Sequence, residues 1–158
     1  MLKTLQRYKP HDAYAIIGLT NEDLYPSENY NFCFGWSAYS SGVGAFSFFR
    51  FNPDLDGIED PNQAMNSLRR ACHIMVNELC HMFGLENCIY YECLMNGVNC
   101  AIERRAGGVR VLCPVCLKKL KYNIKFDTEA RFTKLAEVCD EIGFSEEAKI
   151  YRALIEVP

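Results

Sequence analysis

Residues 77–88 read Asn-Glu-Leu-Cys-His-Met-Phe-Gly-Leu-Glu-Asn-Cys, and this stretch decides how the rest of the chain is read. Asn77 and His81 are four positions apart, so on a helix they share one face, with Glu78 beside them. Gly84 is a natural helix stop, because glycine takes the left-handed conformation that a C-terminal cap needs. Beyond it the chain can turn back. Upstream, Leu68, Ala71, Cys72, Met75, Leu79 and Met82 recur at helical spacing, and Pro61 suits a first turn. The pattern predicts one long helix over residues 62–84.

Downstream the chain changes character. Cys88 and Cys93 are separated by four residues, Cys113 and Cys116 by two, and nineteen residues join the pairs. A two-residue gap lets both thiolates of a knuckle face one ion, and tetrahedral zinc takes four sulfurs at about 2.3 Å each. Thiolates select soft ions, so zinc comes first and an iron–sulfur cluster second. The other reading of Cys88 and Cys93 is as plain core residues. A closed site of Cys88, Cys93, Cys113 and Cys116 has no open position, so its metal is structural. It also gives the knuckle region, residues 85–122, a way to hold shape without regular hydrogen bonding.

Three apolar runs precede the long helix: Ala13 to Leu19, Asn31 to Tyr39, and Val43 to Phe51. Each reads as a strand, giving a strand-rich part over residues 10–55, and an acidic loop over residues 52–61 follows. After the knuckles, residues 113–121 read as a short helix. Asp127 is an N-cap for a helix over residues 128–142 (apolar at Phe132, Leu135, Cys139 and Ile142), and Ser145 opens a last one (apolar at Ile150, Tyr151 and Leu154). The C-terminal helices thus occupy residues 127–157. Strands first and helices after them make one α+β domain over residues 1–158: a small mixed sheet on a long helix, with a zinc-stabilised C-terminal part.

Composition agrees with a globular chain: 158 residues, 49% hydrophobic, 23% charged, net charge −3. That balance speaks against a general nucleic-acid binder, and no apolar run nears the roughly 20 residues of a membrane span. The first twelve residues lack the apolar core of a secretory signal, so a cytoplasmic, reducing compartment is expected. Nine cysteines cannot all pair. Cys33, Cys72, Cys80, Cys100 and Cys139, outside the knuckles, read as small buried hydrophobes.

The order Glu78-x-x-His81-x-x-Gly84-x-x-x-Cys88-x4-Cys93-x-Met95, closed by Cys113-x-x-Cys116, resembles the archaemetzincin family of metzincin-like zinc peptidases. Other stretches match it too: Gly18-Leu-Thr, Asp23-Leu-Tyr-Pro26, Asn31-Phe-Cys-Phe-Gly35, Gly42 to Ser47, Arg50, and Cys113 to Leu117. The likeness covers about residues 10–135. It implies a metzincin-like fold, the four cysteines as structural-zinc ligands, Met95 as the methionine beneath a catalytic ion, and Glu78 as the general base. It also implies a further strand and long helix ahead of Ala13, so the fold is trimmed, or its sheet is completed by another chain, or the sequence is a fragment; the apolar area a trimmed sheet exposes favours a subunit of a larger assembly.

The departures bear on function. The metzincin pattern His-Glu-x-x-His-x-x-Gly-x-x-His needs three imidazoles, and Asn77 and Asn87 stand in two of those slots, leaving His81. Amide oxygens are poor zinc ligands and suit hard cations better. His73 lies on the same face, but eight helical residues place it about 12 Å from His81, too far to share an ion. His11 reads as an exposed loop residue. Where the family often has glycine, Cys80 is expected to crowd the helix packing. Without zinc, Glu78 has no acidified water to deprotonate. The expectation is an inactive peptidase-like protein with one structural zinc and no catalytic zinc, a pseudoenzyme acting as an interaction or structural subunit. It docks a protein or extended peptide along an edge strand from Val43 to Phe51. The alternatives are a zinc aminopeptidase or endopeptidase, either working through an unusual ligand set or inactivated here by His-to-Asn exchange, or a binder of a small molecule or a hard cation (calcium or magnesium) through Asn77, Glu78, His81 and Asn87.

Overall fold

The structure is a computed structural model that describes residues 1–29, 31–39, 41–52, 62–97 and 111–156. The acidic loop, Pro61, Cys100 and most of the stretch between the two knuckles fall outside these residues. In chain order the elements are α1 (Leu2–Tyr8), β1 (Ile16–Thr20), β2 (Gly35–Ala38), β3 (Val43–Ser47), α2 (Gln63–Met82), α3 (Pro114–Ile124), α4 (Thr128–Glu141) and α5 (Ser145–Glu156). A 3-10 turn over Phe49–Phe51 follows β3. The α+β expectation holds, and every expected strand is present in shorter form.

The sheet order is β1-β3-β2, with β1 parallel and β2 antiparallel to β3. The expected edge strand from Val43 to Phe51 is therefore corrected on two counts. Its first five residues are the central strand, paired on both sides and buried throughout, and its end curls into the 3-10 turn. A nearly continuous apolar run, here Val43 to Phe46, is what a strand covered on both faces requires. The edge beside the long helix is β2.

Alternation sorts the two faces. Gly35, Ser37, Gly44 and Phe46 share one face by register and meet α2; a Cβ on Gly44 would stand 2.8 Å from the Met82 sulfur. Gly18 and Ala45 share the other, where Leu5 of α1 covers Gly18. The composition of residues 1–12 gave no sign of that helix. Phe34, Phe46 and Phe51 pack with Ala71 and Ile74 of α2, and burying Phe46 completely contributes about 3 kcal/mol.

The long helix is buried on more sides than its apolar stripe implies. Ser67, Ala71, Ile74, Asn77, Cys80, His81 and Met82 are buried, whereas Leu68 is exposed. One side of α2 meets the sheet, Cys80 enters the knuckle core, and Cys72 packs on the α4–α5 pair. A helix at the junction of three cores has no single apolar face to read. Cys80 is accommodated in that knuckle core rather than crowding the helix, and burial pushes its thiol up to about 11. Cys139 is buried, while Cys33 and Cys72 are half-buried. Asp127 caps α4 as expected, accepting from the Ala130 N–H at 2.7 Å. Ile142 and Ile150, expected on the apolar stripes of α4 and α5, are exposed.

Candidate metal centre and the Asn77–His81 constellation

At Gly84, φ +84°, the long helix ends in a Schellman motif: Leu85 N–H donates to the Cys80 carbonyl (3.1 Å) and Gly84 N–H to that of His81 (2.9 Å). The chain then turns back beneath α2. Cys88 N–H donates to the Met95 carbonyl at 2.9 Å, closing a loop that carries the first knuckle. Asn96 ties it together: its carbonyl oxygen accepts from Cys93 N–H (2.7 Å), and its amide nitrogen donates to the carbonyls of Cys88 (2.8 Å) and Tyr91 (3.0 Å). Sequence reading missed Asn96. A side-chain amide two positions after a suspected ligand-flanking leucine carries no periodic signal.

The second knuckle is the first turn of α3, with Cys113 as N-cap and Pro114 in the N1 slot. All four sulfurs lie within 4.8 Å of one another and all four cysteines are buried. Cys88 and Cys113 sulfurs are 3.8 Å apart, while tetrahedral bonds of about 2.3 Å set sulfurs about 3.8 Å apart. A disulfide would need about 2 Å. Cys93 sulfur accepts from Cys113 N–H at 3.2 Å and Cys113 sulfur from Cys116 N–H at 3.4 Å. Such backbone donors orient thiolate ligands and offset their charge.

The thiols do not ionise alike. Burial pushes Cys88 up, yet hydrogen bonds from the Tyr90 and Tyr91 backbone and from the Cys116 and Cys113 thiols bring it down to about 7. Burial, then the neighbouring sulfurs, holds Cys116 far above its ordinary value. Four crowded sulfurs cannot all carry charge without a cation. The donor set, spacing and burial fit zinc.

Beside this cage lies the second constellation. Asn77 and His81 are buried and Met95 is fully buried. Asn77 Nδ2 donates to the Leu94 carbonyl at 3.1 Å and lies 3.8 Å from the Met95 sulfur. Met95, expected beneath a catalytic ion, packs against Asn77. His81 Nδ1 lies 2.6 Å from the Leu85 carbonyl. A carbonyl only accepts, so Nδ1 is the donor in this contact. The Tyr39 ring meets the His81 ring edge-on at 5.3 Å.

Glu78 reaches the sheet, where Ser37 Oγ on β2 donates to its carboxylate; a Cβ on Gly35 would stand 2.7 Å from Glu78 Cγ, so glycine there permits the approach. Burial and then the Glu78 charge push the Cys33 thiol up to about 11, and the same two causes raise the Tyr39 hydroxyl. Asn87 is exposed, its amide beside Gly97, where a Cβ would stand 3.3 Å from Nδ2. His73 points elsewhere: Nε2 lies 3.4 Å from Glu147 Oε1 of α5, and Arg69 Nε lies 3.1 Å from the same oxygen. His11 is an exposed turn residue. Among the described residues no second set of three or more His, Cys, Asp or Glu donors converges, and no helix is long and apolar enough to cross a membrane.

No protein-family model matches the chain. Archaemetzincin-2 of Rattus norvegicus is 34% identical over 92% of this chain and 47% of its own length. Archaemetzincin-1 of Homo sapiens is 33% identical over 85% of this chain and 32% of its own length. Archaemetzincin from Methanopyrus kandleri, a crystal structure, matches with a TM-score of 0.61 at 26% identity, over 80% of this chain and 66% of that one. A zinc-dependent peptidase from Methanocorpusculum labreanum shares the fold, with a TM-score of 0.62 at 24% identity over 75% of this chain and 71% of that one. The chain spans about half the length of the archaemetzincin-2 relatives it matches. By sequence over most of its own length and by fold, the chain is similar to the archaemetzincins.

Proposed function

We propose that this chain is a peptidase-like protein without hydrolytic activity, holding one structural zinc and serving as an interaction or structural subunit of a larger assembly. The supporting observation is the use made of Asn77: its amide is spent on the Leu94 carbonyl and lies against the Met95 sulfur. A catalytic zinc is held by three protein ligands and a water; here one imidazole is left, and Glu78 is engaged by Ser37. Zinc per chain, measured by plasma mass spectrometry, is expected to be one, and two would overturn the reading. Asn77→His with Asn87→His is expected to raise the count to two.

A docked peptide would pair with the outer side of β2, since β3 already has a strand on each side. Isothermal titration with extended peptides tests this, and no heat with any of them counts against it. Eight described thiols remain unpaired, which suits a reducing, cytoplasmic compartment. The second reading is a zinc aminopeptidase or endopeptidase. The observation favouring it is His81, whose Nδ1–carbonyl contact is the usual support for an imidazole that binds metal through Nε2. Hydrolysis of peptide substrates by the unaltered chain, abolished by Glu78→Gln, would establish it.

A further inference from the structure

Between the C-terminal end of α2 and the flank of α3 runs an open groove of about 620 Å3. Phe83, Leu85 and Val115 line it with apolar surface, and Tyr122, Lys118 and Lys119 stand along its α3 side. The side-chain amide of Asn123 donates to the Phe83 carbonyl and pins the two helices together there. The aromatic surface there is exposed: Tyr122 is 79% exposed. Lys119 extends over the Tyr90 ring and Lys125 over that of Tyr122, so the aromatic surface is edged with positive charge.

Charge selects the occupant. The chain as a whole is acidic, at −3, yet α3 carries Lys118, Lys119 and Lys121 and no acid, and Lys125 follows it. Glu86 is the acid that lines the groove. Lys121 is engaged by Thr128, at 3.0 Å, which leaves Lys118 and Lys119 as the cations of the groove wall. An apolar trough with aromatic rims and a basic wall fits a segment that offers aromatic or aliphatic anchors flanked by carboxylates. We infer that this groove is a docking surface for an acidic, apolar-anchored segment of a partner protein. It is separate from the β2 edge and from the zinc count, so it stands or falls independently of the function proposed above.

The test is fluorescence anisotropy of the full zinc-loaded chain with a fluorescein-labelled peptide DEFDELLDEF, against a charge-reversed KKFKKLLKKF. Saturable binding of the acidic peptide, weakened by added salt, is expected. The double variant Lys118→Glu with Lys119→Glu, both exposed, is expected to bind at least about tenfold more weakly. Lys134→Glu with Lys149→Glu, which removes as many lysines from α4 and α5, is expected to leave binding unchanged. Amide shifts on titration are expected at residues 83–86 and 115–123. The inference is overturned by no binding at millimolar peptide, by equal affinity for the cationic peptide, by equal loss in both double variants, or by shifts confined to other elements. Cosedimentation with phosphatidylserine vesicles without peptide binding would also overturn it, and would assign the surface to a membrane instead.

Discussion

At position 77 an amide stands where the metzincin pattern has an imidazole, and its neighbours engage it. Leu94 offers a carbonyl, Met95 a sulfur, and Ser37 occupies Glu78. Of the three positions in the motif, His81 is the one that carries an imidazole. A different residue pair carries a pH-dependent share of stability. Asp23 accepts from Arg50 Nε at 3.0 Å and from the Tyr25 hydroxyl at 2.8 Å. The Arg50 hydrogen bond, against burial, holds its carboxyl below the ordinary 3.8. Because the folded value is the lower one, the stabilisation is fully present above the unfolded value and is lost as pH falls through the folded one. Asp23→Asn is therefore expected to cost about 1 kcal/mol at pH 7, since the Arg50 side chain is 35% exposed and screened. The difference from the unaltered chain should shrink below pH 3.8, as urea midpoints across the acid range would record.

At the scale of elements, the knuckle loop and α3 hold each other through sulfur. Leu85, Met95, Leu112 and Leu120 pack around the four cysteines, but this core is small and the loop over residues 85–97 has no helix or strand of its own. Binding free energy of a structural zinc is folding free energy. Cys116→Ser is expected to lose the metal and lower the thermal midpoint by at least about 10 °C, read by calorimetry alongside metal content. A chelator should produce the same shift in the unaltered chain. Unchanged midpoints in both would mean the apolar packing suffices alone.

Across the whole molecule, α5 reaches back to α2 through a buried charge. Glu147 is 2% exposed and meets Arg69 and His73. Arg69 also lies over the Phe144 ring, 5.1 Å from its centroid. Removing one partner of a buried pair strands the other charge, which costs about 3–5 kcal/mol. Glu147→Gln is expected to destabilise the chain by about 3 kcal/mol or more, seen as a lower urea midpoint. His73 was legible only as a residue too far from His81 to share an ion. Its partner lies 74 positions away on another helix, and no spacing rule connects them.

Local order is what the sequence alone determined. The long helix and its glycine stop, the Asp127 cap, the two cysteine knuckles and the shared helical face of Asn77 and His81 all follow from spacing along a few turns of chain. Helical and strand periods and tetrahedral sulfur geometry act over those distances, so residue order suffices. Strand order is different. Whether the Val43 run lies at an edge or at the centre depends on which strands pair with it, a matter of register between segments tens of residues apart. The same holds for Ser37 on Glu78, Asn96 across the knuckle and Glu147 on Arg69. Each joins groups that come near only after the three cores have packed around α2, and only the tertiary structure decided them.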